Sequence, residues 1–207
     1  MSVSTASEYL MLNELPDVKI DVREYNPTEQ WRRMRENQTI PGIWKYTAGT
    51  NQNAGSCIMP GRVFHQDSYN VFTNTLSINS IEPEKSLYAS GTAKYMRSKE
   101  NPGRFAAACH LPIVPLYRDY HVANEVLRYA RVRQDWETER SLYPQIYSAF
   151  GSDLVSQATS LVPVAAYMPF YAKPILSLGG GIAGGVTGQV ILKQREHALE
   201  TKIEEPK

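Results

Sequence analysis

Cysteine is scarce: the 207 residues hold two, Cys57 and Cys109. That excludes a disulfide-dense secreted scaffold and a four-cysteine zinc site. An excess of one charge is missing too, since 22 Lys+Arg stand against 21 Asp+Glu for a net charge of +1. A partner gripped mainly through phosphates needs clustered basic residues, so the balance argues against nucleic acid, and none is expected as a partner. The mean hydropathy of −0.40 excludes a polytopic membrane protein while leaving room for a short anchor. Met1–Asn13 contains no basic residue and no long apolar run, so it fits neither a secretory signal nor an Arg-rich presequence. An organellar address would then be internal or lie outside this chain. There is no internal repeat and no low-complexity tract.

Constellations that carry chemistry are equally sparse. The histidines are His65, His110, His121 and His197, and no two of them share a helical face at ligand spacing. Cys109 and His110 are adjacent and point apart, and a metal site would need Cys57 and His65 brought to them from far along the chain. There is no Gly-x-Ser-x-Gly elbow and no Walker A loop. Gly179-x-Gly181-x-x-Gly184 fits the dinucleotide fingerprint, but only a short, charged segment follows it, so the βαβ unit that gives the motif meaning is absent. Asp135, Glu137 and Glu139 lie among arginines and read as ion pairs on a helix surface. Arg32, Arg33 and Arg35 read as a solvated face. The chain is read as non-catalytic, with no cofactor and no metal.

What is present is concentrated at the C-terminal third. Between Asp153 and Lys193 the only charged residue is Lys173, which divides Leu154–Ala172 from Pro174–Leu192. The first stretch carries Leu154, Val155, Ala158, Leu161 and Val162 at helical spacing before Pro163, the pattern of an amphipathic helix near a membrane. The second has the length to cross a bilayer and is closed by Lys193 and Arg195. Within it Gly180, Gly184 and Gly188 recur every four residues, with Gly181 and Gly185 as an overlapping pair. On a helix these form a groove without side chains that admits another helix closely.

The remainder reads as follows. Asn26-Pro27-Thr28-Glu29 is a helix start, and the helix runs through Trp31 and the arginines to Thr39–Gly42. Gln38–Pro115 is rich in Pro-Gly, Asn and Gly breaker signals, with one strand within Asn70–Ile78 and a short helix over Glu84–Ser98 weakened by Gly91. Tyr117–Arg140 is a charged helix facing solvent or a partner, broken at Tyr143-Pro144, where a second helix begins. Thirteen tyrosines together with Trp31, Trp44 and Trp136 argue against free disorder. They suit a segment that lies extended on other proteins, with the tryptophans as interface anchors.

The expected fold is therefore mainly α with long irregular extended segments and one C-terminal Gly-rich transmembrane helix, a hairpin of two spans being the alternative. The divisions are 1–115 irregular and extended, 116–153 charged and helical, 154–172 amphipathic and membrane-proximal, 174–192 transmembrane, and 193–207 a charged tail. Gly180-x-x-x-Gly184-x-x-x-Gly188 followed by Lys193-Gln-Arg195-Glu-His and a charged end resembles accessory subunits of mitochondrial membrane complexes, such as ATP synthase subunits e and g. The resemblance covers about 25 residues of a motif shared by many membrane helices. It implies an accessory subunit of a respiratory-chain or ATP synthase complex in the mitochondrial inner membrane, with other subunits and the lipid bilayer as partners. The alternatives are a soluble structural protein of a filament or microtubule assembly and a tail-anchored outer-membrane protein.

Overall fold

The computed structural model describes residues 2–24, 26–58, 66–111, 113–161 and 172–204, the side chains of 55–58, 159–161, 172–177 and 202–204 apart. The chain is mainly helical with a small three-stranded sheet and divides into two compact units. The first comprises Met1–Val114 with Tyr120–Val126, the second Pro115–Asp119 with Leu127–Lys207.

In the first unit, α1 (Ser2–Leu12) lies against α5 (Pro83–Arg97). The α1 residues Ala6, Tyr9 and Leu10 are buried, and α5 offers a face of small residues, Ser86, Ala89, Ser90, Gly91 and Ala93. Gly91 is small by necessity, because a Cβ there would stand 2.6 Å from Cγ1 of Val126. The sheet has the order β1-β3-β2, with β1 (Lys19–Val22) parallel to β3 (Thr75–Ile78) and β2 (Ser68–Asn70) antiparallel to it. Leu76 and Ile78 carry the central strand into a core with Phe72, Met34 and Ile40. Asp67 ties the sheet's exit: its carboxylate accepts from the backbone N–H groups of Asn79 (2.6 Å) and Ser80 (2.7 Å).

Between the strands run α2 (Pro27–Glu36), the short α3 (Gly42–Trp44), a π-helical turn (Lys45–Gly49) and α4 (Thr50–Ile58); α6 (Pro102–Ala108) follows α5. The start of α2 is set by Asn26, whose side-chain oxygen accepts from the backbone N–H of Glu29 at 3.1 Å, and by Pro27, whose missing N–H needs no partner at the first helical position.

Several expectations are corrected. The stretch 1–115 is not a long extended segment: its described part folds around its own core. Trp31 and Trp44 pack against that core. The region of Asn70–Ile78 is two strands joined by a turn at Val71–Asn74, in which Asn74 has a φ of 49°. The charged helix ends earlier than expected. α7 spans Val114–Val132, and the break falls at Arg133–Asp135, where Gln134 takes a φ of 56°. Its Val122 and Val126 are fully buried, so α7 has a core face.

In the second unit, α8 (Trp136–Leu161) and α9 (Ala172–Glu204) form a helical pair. Asp135 caps α8, accepting from the N–H and hydroxyl of Thr138 at 3.0 and 2.7 Å. Pro144 lies inside α8 and starts no new helix. Leu154–Leu161 continues α8 without a break, so no separate membrane-proximal helix begins at 154; residues 162–171 lie outside those described. Lys193–Glu204 likewise continues α9. The transmembrane helix is not found: among the described residues no helix is long and apolar enough to cross a membrane. Glycine accounts for much of α9's middle and carries almost no apolar surface, so lack of charge there does not amount to a lipid-facing span.

Candidate functional site

The feature that organises the second unit is the seam between α8 and α9. Gly180, Gly184 and Gly188 fall on one face because positions four apart on a helix differ by about 40° of rotation. α8 supplies a matching four-residue series, Tyr143, Tyr147, Gly151 and Val155, running in the opposite direction. A Cβ on Gly188 would meet the Tyr143 carbonyl oxygen at 2.7 Å, one on Gly184 the Tyr147 carbonyl oxygen at 1.9 Å, and one on Gly180 the Gly151 carbonyl oxygen at 2.5 Å. The reverse holds at Gly151, whose Cβ would stand 2.2 Å from the carbonyl oxygen of Gly180. The two backbones touch directly, an approach at which Cα–H groups meet carbonyl oxygens. Gly181 faces Ser152 and Ser148, and Gly185 faces Ser148 at an ordinary 3.8 Å. All five glycines singled out in the sequence thus meet α8 of the same chain.

The charged end of the pair is held at Glu139. Its side chain is 5% exposed, and its Oε1 accepts from Arg131 Nε (2.8 Å), Arg195 Nε (3.3 Å) and the Tyr143 hydroxyl (3.0 Å). Burial pushes the Glu139 carboxyl up. The hydrogen bonds from Arg131 and Tyr143 and the charges of Arg131 and Arg195 outweigh it and hold the group below the usual carboxylate range. Arg140 and Glu196 add a second, more exposed bridge between α8 and α9 at 3.4 Å. In the same unit Asp153 is pushed up to about 6 by burial, by its hydrogen bond with Asp119 and by that group's charge, against a lowering from Arg118.

The outer side of α9 is different in kind. Leu178, Ile182, Val186 and Val190 also recur every four residues, two positions out of phase with the glycines and hence about 200° away. They are 67, 71, 57 and 51% exposed. Twelve residues of helix make this apolar ridge about 18 Å long. A row of large aliphatic side chains on one helix marks a contact surface more specifically than single exposed leucines do.

Of the remaining candidates, Trp136 is half-buried at the start of α8. Cys109 is half-buried and His110 exposed, while His65 and the side chain of Cys57 lie outside the described residues. Among the described residues no three His, Cys, Asp or Glu side chains are placed to hold a metal ion. Sequence reasoning missed two parts of the site. The α8 series had a signal in Gly151, eight residues after Tyr143; the pairing of Glu139 with Arg195, 56 positions away, had none. Comparison of the chain with protein-family models, curated proteins and solved structures finds no match.

Proposed function

We propose that the chain is a non-catalytic accessory subunit of a multi-protein complex, attached to a neighbouring subunit through the outer ridge of α9. The observation that carries this reading is the row Leu178, Ile182, Val186 and Val190, exposed along a helix whose opposite face is closed by α8. A helix already held along one side by α8 loses little conformational freedom on docking, so its apolar area is available for association. The complementary surface is an apolar helix or groove of another subunit. Placement of the complex at the mitochondrial inner membrane, in the respiratory chain or ATP synthase, rests on the resemblance of the glycine repeat and the charged segment after it.

The test is native gel electrophoresis of gently solubilised cells expressing tagged full-length chain. Wild type should migrate with a high-mass complex in the mitochondrial fraction. Ile182→Asp and Val186→Asp, which alter only exposed positions, should release it, while Gln189→Asp on an exposed polar position should not. Equal migration of all three variants refutes the ridge as the attachment, and flotation of the purified wild type with protein-free vesicles refutes a protein partner.

A further inference from the structure

In the first unit a cleft of about 250 Å³ opens between α2, the β2–β3 turn and the end of α5. Three guanidinium groups line it, those of Arg32, Arg33 and Arg97, with the carboxylates of Asp17 and Glu36. Two of the arginines are matched. Arg32 is clamped by Glu29 (2.7 Å) and Glu36 (3.1 Å), and Arg97 by Asp17 (2.7 Å). Arg33 is not. Its Nε donates to the Thr73 carbonyl at 3.1 Å and its Nη2 to the Asn74 carbonyl at 3.3 Å, both neutral acceptors. Among the described residues no carboxylate forms an ion pair with it.

The group is also fixed in place. Asn37 donates to the Val71 and Phe72 carbonyls at 3.2 and 2.9 Å and so holds the turn that Arg33 grips. Asn74, in its left-handed conformation, accepts from the Tyr69 hydroxyl and donates to the Asp17 carboxylate, at 2.8 and 2.9 Å. A guanidinium has five N–H donors in a rigid fork. Two bonds to carbonyls orient the Arg33 fork and leave donors over.

We propose that this cleft binds a small singly charged carboxylate, with Arg33 as its anchor. Pairing sets the class: Arg33 is the one guanidinium of the three with no carboxylate bonded to it, a partner that a monoanion supplies, whereas a phosphate dianion would add a second negative charge beside Asp17, Glu29 and Glu36. A carboxylate also matches the guanidinium fork with two oxygens. The carboxylate belongs either to a free organic acid or to the C-terminus of a peptide.

Isothermal titration of the full-length chain at low ionic strength, with acetate, with a short peptide bearing a free C-terminus and with the same peptide amidated, tests the proposal. Saturable binding of acetate is expected. Tighter binding of the free-ended peptide than of both acetate and its amidated form assigns the site to peptide termini; equal binding of the two peptides assigns it to free acids. Arg33→Gln should weaken acetate binding about tenfold, the loss of a charged hydrogen-bonding partner. Glu36→Gln, an exposed change that removes a rim carboxylate and leaves Arg32 held by Glu29, should tighten it several-fold and keeps the test decisive if Arg33→Gln fails to fold. Absence of saturable acetate binding, an unchanged affinity in Glu36→Gln, or tighter binding of inorganic phosphate than of acetate overturns the proposal.

Discussion

Replacing Gly184 by alanine isolates what the seam requires. A Cβ there would lie 1.9 Å from the Tyr147 carbonyl oxygen and 3.2 Å from the Gly151 Cα, whereas ordinary contact begins at 3.4 Å. Both neighbours are backbone, so no rotamer change relieves the clash, and α8 and α9 must part locally by about 1.5 Å. Overpacking of this kind costs about 1–3 kcal/mol, and the upper end applies because neither side can turn away. Against it stands the gain of about 1 kcal/mol for alanine over glycine within a helix. The net expectation is a loss of about 2 kcal/mol. Gly179 is the internal control, one residue outside the facing series and with no atom within 4 Å of its built Cβ. Gly179→Ala should therefore stabilise by about 1 kcal/mol. Equilibrium urea unfolding, combined with hydrogen exchange of the α9 amides, reads both. Opposite signs are required; stabilisation by both alanines would refute close packing of α8 on α9.

Other consequences concern charge and caps. Glu139→Gln leaves Arg131 and Arg195 without their shared anion and should cost about 2 kcal/mol by urea unfolding. Because the Glu139 carboxyl is held low, its contribution is present above the ordinary glutamate value of 4.5 and lost as pH falls through the depressed one. Asp153 works the other way: with its pKa raised to about 6 from 3.8, its contribution is present below 3.8 and lost as pH rises through 6. Thermal melts should show Asp153→Asn gaining on wild type at pH 8 relative to pH 5, and an unchanged difference would refute the raised pKa of Asp153. Asn26→Ala removes the α2 cap and should lower stability by about 1 kcal/mol, again by urea unfolding.

The parts of the fold legible in the sequence were those written in local chemistry. Asn26-Pro27 announces α2 because capping is settled within four residues, and the helix expected over Glu84–Ser98 forms from Pro83 to Arg97 in spite of Gly91 in its middle. The strand β1 escaped because its burial runs against polarity: Asp21 is buried, paired with Lys19 at 2.8 Å, while Val22 is half exposed. The breaker-rich stretch from Gln38 onwards looked extended for a related reason. Its helices bury small or polar residues such as Ser86, Ser90 and Asn53, so hydrophobic periodicity, the signal that marks a helix, is nearly silent there.

The glycine repeat shows how a pattern can be seen without its partner being known. Spacing alone establishes that Gly180, Gly184 and Gly188 form a groove, since that follows from helical geometry. What fills the groove depends on a second helix whose own series, Tyr143, Tyr147 and Gly151, has nothing in common with it in composition. Tyrosine enters the seam through its carbonyl oxygen rather than its ring, and backbone atoms are the same for every residue type. The absence of charge around the glycines suggests lipid when the sequence stands alone, but a helix that buries one face against its own chain needs an uncharged seam for the same electrostatic reason. The two readings diverge only on the far side of α9. There the ridge from Leu178 to Val190 remains open, and it is this face, rather than the glycine face, that is left for another molecule.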